Sequence, residues 1–62
     1  MILSKNGYPI VVGDMVWFPT VGDIEYGEIV MITESDIVVD AEYCQARIHI
    51  YDNGRVGVVK IP

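Results

Sequence analysis

Ala46-Arg47-Ile48-His49-Ile50-Tyr51-Asp52-Asn53-Gly54-Arg55-Val56-Gly57-Val58-Val59-Lys60-Ile61 decides the fold. Two runs rich in β-branched residues flank an Asn-Gly pair, the strongest short-range hairpin signal. As a two-residue type I′ turn, the pair needs positive φ at both Asn53 and Gly54 and fixes the register. Asp52 then faces Arg55, Tyr51 faces Val56 and His49 faces Val58. Side chains alternate between the two faces of a strand, so the register also sorts inside from outside. Ala46, Ile48, Ile50, Gly57, Val59 and Ile61 are expected in the core. Arg47, His49, Tyr51, Val56, Val58 and Lys60 are expected outside, with a half-apolar centre of the kind interfaces use.

Upstream of the ribbon the same signals recur. Gly13-Asp14 turns the chain into Met15–Phe18, a strand that Pro19 is expected to end. A long strand follows over Ile24–Thr33, with Gly27 inside it marking a bulge or sharp coil. A third covers Ile37–Ala41, and the ribbon supplies two more, Ala46–Tyr51 and Arg55–Ile61. No window carries a helical stripe. The reading is an all-β chain, a five-stranded SH3-like small barrel forming a single domain over residues 1–62.

A chain of 62 residues buries a small core and is marginal alone. Cys44 is its only cysteine, so no disulfide framework exists; it reads as a small buried residue in a reducing, cytoplasmic setting. The single histidine and the carboxylate spacing suit neither a zinc nor a calcium site, so no metal is expected. No apolar run reaches the length of a membrane span, and Ser4-Lys5-Asn6-Gly7 interrupts the N-terminus before a signal peptide could form. Hydrophobic residues make up 52% of the chain, and the surplus points to surface covered by a protein partner or by copies of itself.

Charge is unevenly placed. Eight of the nine carboxylates lie between Gly7 and Ala46, where there is no lysine or arginine. A net charge of −5 opposes direct nucleic-acid binding, whose affinity comes from neutralising phosphates. Asp23, Glu25, Glu28, Asp40 and Glu42 are read as an acidic surface suited to a basic protein partner, where complementarity sets partner choice. A decoy that occupies the basic groove of a nucleic-acid-binding protein is the sharper form of the same idea. Trp17 and Phe18 are neighbours and point to opposite faces, so at most one is core, and the other is exposed or covered by a loop or another subunit, where a tryptophan can anchor a partner. The candidate binding residues are Trp17, Tyr26, His49, Tyr51 and Val58. No catalytic residue is assigned, since His49 has no orienting partner visible in the sequence.

Gly13-Asp14-Met15-Val16 followed by Gly27-Glu28-Ile29-Val30 resembles the opening of KOW-type and Tudor-type SH3-like barrels. Together with Ile48-His49-Ile50-Tyr51, these motifs are also similar to the type II, trimethoprim-insensitive dihydrofolate reductases. That resemblance implies a small barrel assembled as a tetramer around a pore, with the Ile48–Tyr51 segment lining it, and NADPH-dependent reduction of dihydrofolate. His49 stands where that family has glutamine, and Trp17-Phe18-Pro19 stands where it has basic residues that help hold the anionic ligands. No cofactor is therefore expected, and an interaction module is the leading expectation over an enzyme.

Overall fold

A computed structural model describes residues 1–62. Its five strands are β1 (Met15–Thr20), β2 (Asp23–Ile32), β3 (Asp36–Ala41), β4 (Gln45–His49) and β5 (Val59–Lys60). They form one antiparallel sheet in the order β4-β3-β2-β1-β5, with no helix. Beyond the end of β4, Ile50 meets Val56 in an isolated bridge ahead of β5, and the sheet is not closed. No helix is long and apolar enough to cross a membrane.

The alternation of β1 to β3 makes the core. Val16 and Phe18 from β1, Ile29 from β2, and Ile37 and Val39 from β3 turn to one side and pack with Ile10, Val56 and Val58. Gly27 also faces that side, opposite Val16 and Ala41. A Cβ on Gly27 would lie 2.7 Å from the Asp40 carbonyl oxygen, so the glycine lets β3 lie close against β2. The expected bulge exists, but it sits between Ile29 and Met31 instead of at Gly27. β1 runs on through Pro19. Met15 accepts from Ile61 on the β5 side, and by alternation Pro19 points the same way, beyond the end of β5. Its missing N–H costs no ladder bond there.

The last hairpin departs from the expected register. Only glycines have positive φ, so Asn53 does not take the I′ conformation. Its Oδ1 accepts a hydrogen bond from the Arg55 N–H at 3.1 Å, and Gly54 alone carries the left-handed step at φ 77°. Tyr51 and Arg55 close the loop, which therefore holds three residues (Asp52, Asn53 and Gly54). Ile50, in place of Tyr51, meets Val56. The β4 arm keeps its expected faces, with His49 and Tyr51 outward. The following arm is inverted by the one-residue shift. Val56 and Val58 are fully buried, while Ile61 is exposed.

The expected strand over Arg55–Ile61 shrinks to β5, because other backbone claims this segment. Leu3 donates to the Gly54 carbonyl and accepts from Val56, and Lys5 donates to the Val58 carbonyl. The N-terminal segment thus lies parallel to residues 54–58 and folds back so that Ile10 donates to Ile2. Ser4 is wholly buried at that bend and receives the Tyr8 N–H. Cys44, expected inside, is exposed at the β3–β4 turn.

Candidate functional site

Two places on the surface gather chemistry. The first is the side of the sheet facing away from the core. Trp17 stands between Val59 of β5 and Tyr26 of β2, its direct cross-strand partners. Phe18 took the core position, leaving Trp17 half-buried on the outside. Tyr26 is 57% exposed, enough to meet a partner with most of its ring. Two residues along the same strands, Met15 faces Glu28, Glu28 faces Asp40, and Asp40 faces Gln45. Pro19 and Ile24 extend the apolar strip in the other direction.

The Glu28–Asp40 pair is unusual on physical grounds. Like charges directly opposite on neighbouring strands are destabilising. Neither carboxylate has a cationic partner: Arg47 and Lys60 pair with Asp36 and Asp14, and His49 lies beside Asp36. An unneutralised acidic pair therefore lies beside an exposed aromatic pair. Rings two residues away along a strand are about 7 Å distant, so a cation over Tyr26 also lies within reach of Glu28. The other expected acidic residues do not join this patch. Glu25 faces Phe18 and is half-buried, Glu42 lies past the end of β3, and Asp23 opens β2 opposite Thr20, its carboxylate receiving the Ile24 N–H.

The second place lies beside the last turn. Lys5, Tyr51, Asn53, Arg55, Val56 and Gly57 line an open cleft of about 260 Å³. His49 is just outside it, its ring edge-on to Tyr51 with centroids 5.8 Å apart. His49 does have a carboxylate neighbour that the sequence did not reveal: Asp36 lies directly across from it, with Nδ1 to Oδ1 at 3.8 Å. Asp36 is shared with Arg47 at the same distance, and the Arg47 and His49 side chains are both well exposed. Exposed pairs of this kind contribute little.

Of the five expected binding residues, Trp17 and Tyr26 are brought together, and His49 and Tyr51 are brought together elsewhere. Val58 joins neither pair; it is buried in the core because of the shifted turn. The assembled cleft was not anticipated. Its one sequence signal was that Lys5 and Arg55 lie outside the acidic stretch. No protein-family model matches the chain, and neither a curated protein nor a solved structure does.

Proposed function

We propose that the chain is a protein-interaction module that docks a basic segment of a protein partner on the outer face of β1 and β2. The observation that carries this reading is the juxtaposition of Trp17 and Tyr26 with Glu28 and Asp40. A lysine or arginine of the partner stacks on the Tyr26 or Trp17 ring while its charge meets the carboxylates. The flanking side chains of Met15, Ile24 and Val59 cover the partner's apolar atoms and exclude water, as the surroundings of an interface anchor do.

Small SH3-like barrel architecture fits this role. The strand order, the close β2–β3 approach at Gly27 and the bridge between Ile50 and Val56 all favour it. The reductase reading finds no such support, since Trp17 and its acidic neighbours make an uncongenial seat for phosphates and folate.

Trp17 is the only tryptophan, so its fluorescence reports on the site alone. Titration with an extended Arg/Lys-rich peptide should shift that emission saturably, and an acidic peptide of equal length should not. The response should weaken as salt rises, because the carboxylates are exposed and screened. A basic peptide that leaves Trp17 unchanged at low salt overturns the proposal. A mass that rises with protein concentration while the peptide has no effect would assign the face to a second copy instead.

A further inference from the structure

We infer that the cleft beside the last turn is a separate site for the carboxylate or phosphate group of a small ligand. Of the four lysines and arginines, Arg47 and Lys60 face carboxylates, whereas Lys5 and Arg55 have none. Those two unpaired cations both line the cleft, and no carboxylate does.

The hydrogen-bonding inventory of the lining is one-sided. Arg55 spends one Nη1 donor on the Lys5 carbonyl at 3.2 Å, which ties the guanidinium to the N-terminal segment and leaves its remaining donors free. The Lys5 ammonium makes no hydrogen bond within the protein. Asn53 Oδ1 already accepts from the Arg55 N–H, and the Asn53 NH2 makes no hydrogen bond within the protein. The Tyr51 hydroxyl also has no protein partner. Four side chains thus offer donors, two of them charged, while the acceptors among them, the Tyr51 hydroxyl and the Asn53 Oδ1, are neutral. A ligand that brings acceptors and negative charge matches this lining, and a guanidinium with uncommitted donors suits an oxyanion held at two oxygens.

Size and charge narrow the occupant. The surrounding protein carries a net −5, which repels a long polyanion. A single oxyanion seated among Lys5 and Arg55 is held at close range, within the ~10 Å over which charges act at 0.1 M salt. The Tyr51 ring and the buried Val56 supply an apolar wall, so an aromatic anion should bind more tightly than a bare one.

The test is amide-resolved NMR titration of the intact chain with benzoate and with phenyl phosphate, alongside acetate and inorganic phosphate. Saturable shifts centred on Tyr51, Arg55 and Gly57 are expected, stronger for the aromatic anions. Binding of benzoate alone assigns a carboxylate ligand, and binding of phenyl phosphate alone assigns a phosphate; either supports the site. Arg55→Gln should weaken binding by about tenfold or more, as for the loss of a charged hydrogen bond. Lys5→Gln should do so more mildly, while Arg47→Gln should leave it unchanged. The spectrum of each variant reports whether it folds. Shifts spread over all cationic residues and indifferent to Lys5→Gln and Arg55→Gln, or no saturable shift with any of the four anions, would overturn the inference.

Discussion

The outer face of β1 and β2 and the cleft beside the last turn carry opposite charge and arise by different routes. On the sheet face, Trp17 meets Tyr26 and Glu28 meets Asp40 through antiparallel ladders joined by short turns. In the cleft, Lys5 meets residues 51–57 because the N-terminal segment pairs in parallel with the far end of the chain. The sheet face draws Glu28 and Asp40 from the acidic middle of the sequence, and the cleft draws Lys5 and Arg55 from outside it. A chain of net −5 can therefore hold a cationic hollow without a basic sequence motif.

Substitutions can separate the two regions. The largest loss of stability is expected for Gly27→Ala, about 3 kcal/mol, because the new Cβ would press on β3 backbone that has no slack. Urea melts monitored at Trp17 measure it, and a neutral result would remove the close approach that aligns the sheet face. Val58→Ala should cost about 2 kcal/mol, from two lost buried methyl groups and the cavity left behind. An unchanged midpoint would place Val58 outside and restore the two-residue turn. Trp17→Ala should weaken a basic peptide by about thirtyfold, matching ~2 kcal/mol for an interface anchor, and leave benzoate binding untouched. Loss of both activities would show one site in place of two. The smallest effect has the opposite sign: Glu28→Gln should stabilise the fold by a few tenths of a kcal/mol by relieving its repulsion from Asp40. The same change should weaken the peptide. Stabilisation without weaker binding would make the acidic pair a solvated surface.

The sheet was legible where pairing is local. Hydrophobic alternation and turn residues placed β1 to β4 to within two residues at each end. Pro19 hid the last two residues of β1, because only the neighbouring strand's length tells whether its missing donor matters. The final arm was illegible for a different reason. Asn-Gly serves either a two-residue I′ turn or a three-residue loop ending in left-handed glycine, and the choice depends on whether Asn53 uses its side chain as an acceptor. The three-residue loop moves the register by one and exchanges the roles of Val58 and Ile61. That Trp17 and Phe18 take opposite faces was legible because adjacent strand residues must diverge, whereas the pairing of Trp17 with Tyr26 needed the β1–β2 register. Sequence reasoning missed the cleft because nothing local ties Lys5 to Arg55.

The central claim is that one small chain presents two chemically opposite binding sites. An amide-resolved titration of a single sample, first with the Arg/Lys-rich peptide and then with benzoate and phenyl phosphate, tests it most directly. The account predicts two separate sets of shifts, one on Trp17, Tyr26, Glu28 and Asp40 and the other on Tyr51, Arg55 and Gly57. A single shared set, or a peptide footprint that avoids Trp17, would contradict it.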